Sequence, residues 1–221
     1  MKKTNQLLIV TLIVLGTIHS SYSQSNSEKK YELVLLAGTI QPFLLQGGNV
    51  ELDFYTKKMV FNYSHGFSLD MNLELCTTAG DIKEQGLALN IPYSSGFGIG
   101  YRLNKYFDIR VEPKMHKFKV YYDGFDNNID GNLVTSYNTI TVGIGGYFRL
   151  KPFENKESWV NGIFTSTSLR YWPKVYTSLE GNKEEYFNRI SASQETHKAS
   201  NIGIANTPII FNLAVGYSIV F

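Results

Sequence analysis

The run from Ile209 to Phe221 constrains the fold more than any other part of this 221-residue chain. Ile209, Phe211, Leu213, Val215, Tyr217, Ile219 and Phe221 alternate with Ile210, Asn212, Ala214, Gly216, Ser218 and Val220. A period of two is the mark of a strand and cannot arise on a helix. One face is large and apolar throughout, and the other is mostly small or polar. The same alternation sets Phe97, Ile99, Tyr101 and Leu103 against Gly96, Gly98, Gly100 and Arg102. It sets Ile140, Val142, Ile144, Phe148 and Leu150 against Thr139, Thr141, Gly143, Gly145, Tyr147 and Arg149. After the Asn104-Lys105 turn, Phe107, Ile109 and Val111 alternate with Asp108, Arg110 and Glu112.

An apolar sheet face needs a cover. In a soluble sandwich a second sheet or a helix supplies it, but the sequence holds no convincing amphipathic helix. The beginning of the chain points to another cover. Lys2 and Lys3 precede an apolar stretch from Leu7 to Ile18, and His19-Ser20-Ser21-Tyr22-Ser23 follows with small residues at Ser21 and Ser23. That order predicts a signal peptide over 1–23, cleaved before Gln24, with residues 24–221 as one mature domain. The stretch is short of the ~20 apolar residues that a spanning helix needs. In an exported chain, lipid covers the apolar faces of a closed barrel, and the charged faces turn inward. Arg102, Asp108, Arg110, Glu112 and Arg149 then form a charge network in the lumen.

Eight strands are expected, at about 31–40, 50–56, 58–71, 93–103, 106–121, 137–150, 158–172 and 207–221. Three connections are tight, at 56–58, 104–105 and 151–157; three are long and polar, at 72–92, 122–136 and 173–206. Outer-membrane barrels show that asymmetry, with short periplasmic turns and extended external loops. The first external connection, around Gln46-Gly47-Gly48-Asn49, is short and departs from it. Pro113 inside the fifth strand predicts a bulge, which would account for Phe118 and Val120 being out of phase with Phe107 and Ile109. Trp159 and Tyr171 would bound the apolar band of the seventh strand, about 30 Å apart on a strand tilted near 40°.

Composition removes several classes. The chain is 43% hydrophobic and 18% charged, too apolar for disorder. Lys and Arg number 21 against 19 Asp and Glu, a surplus that Lys2 and Lys3 account for, so no basic stripe addresses nucleic acid. The single cysteine, Cys76, excludes a disulfide framework within the chain and a cysteine-built metal site.

Chemistry is sparse. Ser64-His65-Gly66-Phe67-Ser68 holds a serine and a histidine, but His65 shares its strand face with Tyr63 and Phe67 while Ser64 and Ser68 take the other. His116 and His197 lack a histidine or cysteine partner at helical or strand spacing. Asp123, Asp126, Asp130, Asn127 and Asn128 are oxygen-rich but lack the spacing of a calcium loop. The 173–206 loop mixes Glu180, Glu184, Arg189 and Glu195 with Tyr176, Tyr186 and Phe187, either as a recognition surface or as a solvated loop with a short helix around Lys183 to Ile190. No catalytic residue, metal or cofactor is assigned. Eight strands enclose a lumen that side chains fill, so the glycines at 96, 98, 100, 143, 145 and 146 are expected to make room for bulky neighbours rather than a pore.

On these residues the chain resembles the small eight-stranded barrels of Gram-negative outer membranes, of the OmpA, OmpX and OmpW kind. The resemblance is strongest where Phe221 closes the run Leu213, Val215, Tyr217, Ile219, which looks like the family's C-terminal assembly signal. It implies insertion by the barrel-assembly machinery, contact with outer-membrane lipid and lipopolysaccharide, and external partners at loops 72–92, 122–136 and 173–206. It does not imply one activity. The expectation is a non-enzymatic barrel, porin-like only in architecture, that supports the envelope or presents its loops. The alternatives are a lipopolysaccharide acyl hydrolase and a soluble periplasmic barrel holding an apolar ligand.

Overall fold

The computed structural model describes residues 31–70, 82, 84–124, 130–203 and 207–221. The expected leader, Cys76 and Asp126 to Asn128 lie outside them. The described chain is almost wholly strand: β1 Glu32–Gly38, β2 Gly48–Tyr55, β3 Met59–Asp70, β4 Leu87–Arg102, β5 Phe107–Tyr122, β6 Leu133–Leu150, β7 Ile163–Tyr171, β8 Lys174–Thr177, β9 Lys183–Asn188, β10 Ser193–Lys198 and β11 Ile209–Val220.

Eight of these strands close an antiparallel barrel. β1 to β7 pair in sequence, β7 pairs with β11, and β11 returns to β1. Following partners round the wall from Glu32 through Tyr55, Val60, Gly100, Arg110, Gly145 and Arg170 leads to Ile210. That residue lies beyond Ala214, the partner of Gly38, so the sheet closes with a stagger and its strands must tilt. The ends differ as expected. One carries both described termini and the tight turns, where Thr56 caps Met59 and the Asn104 carboxamide oxygen accepts from the backbone of Tyr106 and Phe107. The other carries the long loops.

Facing follows the alternation. Leu35, Phe97, Ile99, Ile144, Leu169 and Ile219 are each about half exposed or more on the outside, whereas Arg110, Glu112, Asp108 and Arg149 are buried inside. β1 departs from the pattern: Leu35 points out, but Val34 and Leu36 also pack inward, against Tyr55, Val60, Phe164 and Ala214.

Four expectations are corrected. No bulge sits at Pro113, which pairs in register with Val142, and the inward row runs unbroken from Asp108 to Val120. The ladder to β4 instead skips from the Gly96–Lys114 pair to the Ile99–Val111 pair, so the donor that proline lacks falls in that gap. The bulge is in β4, between Asn90 and Tyr93. Phe118 and Val120 differ from the residues before them because the interior changes from ionic to apolar, while the strand keeps its phase. Trp159 is not a strand residue; it lies in a single 3-10 turn, Trp159–Gly162, at the rim.

The first external connection is not bare, since a short helix α1, Ile40–Leu44, follows β1 and ends that strand at Gly38. The short helix considered for Lys183 to Ile190 is replaced by the β9–β10 hairpin, registered from Asn188–Ser193 to Lys183–Lys198. Its alternation decides this: Tyr186 and Asn188 are buried while Glu185 and Phe187 are exposed.

The loop end is a second core. Leu87, Leu89, Ile91, Phe118, Val120 and Tyr137 from β4, β5 and β6 pack with Leu179, Tyr186 and Ala199 from the last long loop. Burying each large side chain contributes about 1.5–3 kcal/mol, enough to hold the hairpin over the barrel mouth. β8 continues the wall beside β6 after Trp172-Pro173 breaks β7.

Candidate functional site: a sealed ionic lumen

Between the apolar cluster near the turns and the loop-end core, the barrel axis is filled by charge. Glu51, Asp53, Asp108 and Glu112 face Arg110, Lys114, Arg149 and Arg170, all of them buried. Inward alternation on β2, β5, β6 and β7 delivers every one of these side chains.

Arg110 is the hub. Its Nε lies 2.6 Å from Asp108, its Nη1 2.8 Å from Glu51 and its Nη2 2.9 Å from Asp53. Tyr55 ties the same group together, donating to Asp53 Oδ2 at 2.6 Å and accepting from Arg110 at 2.6 Å. Asp108 is shared with Arg149, whose Nε is 2.9 Å from Oδ2 without hydrogen-bond alignment, so charge rather than geometry holds that contact. One level towards the loops, Glu112 accepts from Asn62 at 2.7 Å and Tyr147 at 2.6 Å and lies 3.5 Å from Arg170. Lys114 and Arg170 then both lie against the Trp172 indole, at 4.6 and 4.7 Å from ring centres. Trp172 donates to the Glu112 carbonyl at 3.0 Å. His116 meets Thr141 at 2.8 Å and closes the ionic column against Phe118.

Each carboxylate meets a cation or several donors, the condition under which charges tolerate burial. The glycines complete the fit. A Cβ on Gly143 would fall 2.2 Å from the Trp172 ring, and one on Gly145 2.5 Å from the Arg170 stem. Gly96, Gly98 and Gly100 likewise adjoin Lys114, Glu112 and Arg110; Gly146 points outward with open space around it. The arrangement fills the middle of the axis with buried, mutually bonded side chains.

Of the lumen residues expected from sequence, Asp108, Arg110, Glu112 and Arg149 come together here. Arg102 does not: it sits half-buried at the turn-end mouth, bonded to the backbone oxygen of Thr56 and to no carboxylate among the described residues. Glu51, Asp53, Lys114 and Arg170 were not singled out. The signal for the first two is the alternation of Glu51 and Asp53 with Val50, Leu52 and Phe54. Leu213, Val215, Tyr217 and Ile219 form one outward row on β11, and Phe221 follows directly after the strand.

Two other histidines have definite surroundings. His65 faces outward and its Nδ1 lies 2.6 Å from Ser95 Oγ on the neighbouring strand, beside the Phe67 ring. His197, on β10, is buried by the loop-end core, and its Nε2 is 3.3 Å from the Tyr137 hydroxyl. Burial, and then nearby Lys174, lower its pKa to about 4. Among the described residues no group of three or more histidine, cysteine or acidic side chains is placed to hold a metal.

No protein-family model matches the chain, and no curated protein matches it. Among solved structures it is similar to Ail, the attachment invasion locus protein of Yersinia pestis, with 11% identity and a TM-score of 0.40 over 86% of this chain and 99% of that one. It is also similar to a major outer membrane protein of Thermus thermophilus, with 14% identity and a TM-score of 0.41 over 86% of this chain and 99% of that one. The closed eight-strand ladder, and not these likenesses, establishes the fold.

Proposed function

We propose that the chain is a non-enzymatic integral protein of a bacterial outer membrane, with its tight turns in the periplasm, that works by presenting its loop end to an external partner. One observation carries the reading: an outward belt of mostly apolar side chains surrounds an axis filled by paired charges. In water such a belt would drive aggregation, whereas in a bilayer it meets hydrocarbon. Lys117, Lys119 and Asn138 end the belt on the loop side, where β4, β5 and β6 rise past it. The β9–β10 hairpin, packed on that extension through Tyr186, supplies an ordered platform of the kind that recognition favours. Lipid, lipopolysaccharide and the barrel-assembly machinery are the partners that insertion would require.

The test is membrane fractionation with a heat-modifiability gel, followed by planar-bilayer recording of the purified protein. Outer-membrane recovery, a heat-shifted folded band and absence of steady currents are expected. Recovery in the soluble periplasm overturns the membrane reading, and reproducible open-channel currents overturn the sealed lumen.

A second reading rests on His65 and Ser95. A serine within hydrogen-bond reach of a histidine, facing lipid one outward row inside the Lys117 boundary, is the beginning of an acyl hydrolase. It would show as an altered lipid A acylation pattern on expression that both His65→Ala and Ser95→Ala abolish. An unchanged pattern removes it, leaving a polar pair satisfied within the wall. A soluble carrier of apolar ligands fits less well, because Arg110 and its carboxylates occupy the axis.

A further inference from the structure

The turn end of the lumen is not sealed flush. A recess of about 450 Å³ opens there, within the range of small-molecule sites. Its inner end is formed by the guanidinium groups that cover the ring of Tyr55, which is itself fully buried and clamped by its hydroxyl bonds to Asp53 and Arg110. Three guanidinium groups surround that one ring, Arg149 at 4.4 Å, Arg102 at 5.4 Å and Arg110 at 5.7 Å from its centre, and the first two line the recess. Lys105 and Lys151 stand at the rim with Tyr31 and Tyr106 in the walls.

The acidic groups nearby are mostly committed. Glu32 is held by Lys151 at 2.9 Å, and Asp108 lies below the floor, shared between Arg110 and Arg149. Glu154 is at the exposed rim. Arg102 is the group left over: it pairs with no carboxylate among the described residues, and its Nε is buried without a hydrogen-bond partner. Like charges brought together in a partly desolvated recess, with an unmet donor on Arg102, favour an anion. Planar guanidinium groups suit the oxygens of a carboxylate or phosphate, and the tyrosine walls suit an apolar or aromatic body attached to them.

We propose that this vestibule binds a small organic anion, a carboxylate or phosphate on an apolar or aromatic body, between Arg102 and Arg149. The site is blind, since Arg110 closes the axis behind it, so it captures its ligand without conducting it. Access from the periplasm rests on the orientation proposed above; binding itself rests only on the recess.

The experiment is calorimetric titration of the folded protein in maltoside micelles, where membrane orientation plays no part. The probes are phenyl phosphate, benzoate, inorganic phosphate and neutral benzyl alcohol. Saturable binding of phenyl phosphate or benzoate is expected, with the tighter of the two naming the anionic group, and weak or no binding of benzyl alcohol. Inorganic phosphate binding as tightly as phenyl phosphate would overturn the role given to the aromatic walls. Arg102→Gln should weaken the organic anion about tenfold or more, the value of one charge-assisted contact. Lys105→Gln, in an exposed turn, should weaken it less, and Lys198→Gln at the opposite end should leave it unchanged. If Arg102→Gln loses its heat-modifiable band, Lys105→Gln and the suppression of binding by added salt carry the test. No saturable binding of either organic anion, or affinity unchanged in folded Arg102→Gln and Lys105→Gln, overturns the proposal.

Discussion

Arg110 Nη1 lies 2.8 Å from Glu51 Oε1, although β3 and β4 separate their strands in the wall. The contact is a chord across the lumen, and Asp53 and Asp108 reinforce it from two sides. Removing the hub leaves three carboxylates buried together without their shared cation. Arg110→Ala should therefore cost about 3–5 kcal/mol in denaturant unfolding of the refolded barrel. A double-mutant cycle with Glu51→Gln should show strong coupling, because the second change removes one of the stranded charges. Independent, additive losses would mean that the pair does not hold the lumen together.

The wall itself makes a sharper prediction. Leu213 faces outward on β11 and Ser218 faces inward and is buried. Leu213→Arg places a cation on the belt at a depth-dependent cost of up to about 2–4 kcal/mol, whereas Ser218→Thr stays within about 1 kcal/mol. Insertion into lipid vesicles, followed by the heat-shifted band, measures both. Equal impairment by the two changes would contradict the facing of β11.

These relationships divide by how local they are. Most of the wall strands were legible because their apolar and polar faces stay distinct, as the residues from Phe107 to Glu112 show. Asp108, Arg110, Glu112 and Arg149 were readable as inward for the same reason. What the chain does not write locally is the stagger of closure, which decides that Arg110 meets Glu51 rather than another carboxylate. Arg170 was obscured because Thr165 and Thr167 leave the outward face of β7 only half apolar. Arg102 lies on the inward face yet at the mouth, where alternation says nothing of partners. The β9–β10 hairpin was hidden by helix-favouring Lys183, Glu184 and Glu185. Burial of Tyr186 in a core drawn from β4, β5 and β6 overrides that preference.

Acidification should loosen the loop end first. Burial keeps His197 neutral down to about pH 4, whereas an unfolded histidine takes up its proton near pH 6.5. Between those values the unfolded hairpin binds more protons than the folded one, so its stability is complete above about pH 6.5 and falls as pH drops towards 4. A single proton sets the slope at about 1.4 kcal/mol per pH unit at most. Hydrogen exchange of β9 and β10 should accelerate from pH 7 to pH 5 after correction for intrinsic rates, while β11 stays protected. His197→Asn should flatten that dependence, and a loss of protection spread evenly over the barrel would assign the effect elsewhere.

Phe221 joins the two described ends of the wall. Its N–H donates to the Tyr31 carbonyl at 3.1 Å, the Tyr31 N–H returns a bond at 3.2 Å, and the two rings sit 6.2 Å apart. Tyr31 also stacks on Phe54 at 5.8 Å, so one aromatic cluster covers the closing seam between β11, β1 and β2 at the turn end. Deleting Phe221 removes both backbone bonds and the ring contact at the seam where the first and last strands of the barrel pair. It should lower the yield of the heat-shifted band and the rate of its appearance in vesicles. Deleting a few residues near Asn128, in the long loop expected over 122–136, should impair assembly less. If the barrel-assembly machinery reads the row Leu213, Val215, Tyr217, Ile219 and Phe221, the loss in cells should exceed the loss in vesicles; equal losses would mean that Phe221 acts through seam closure alone.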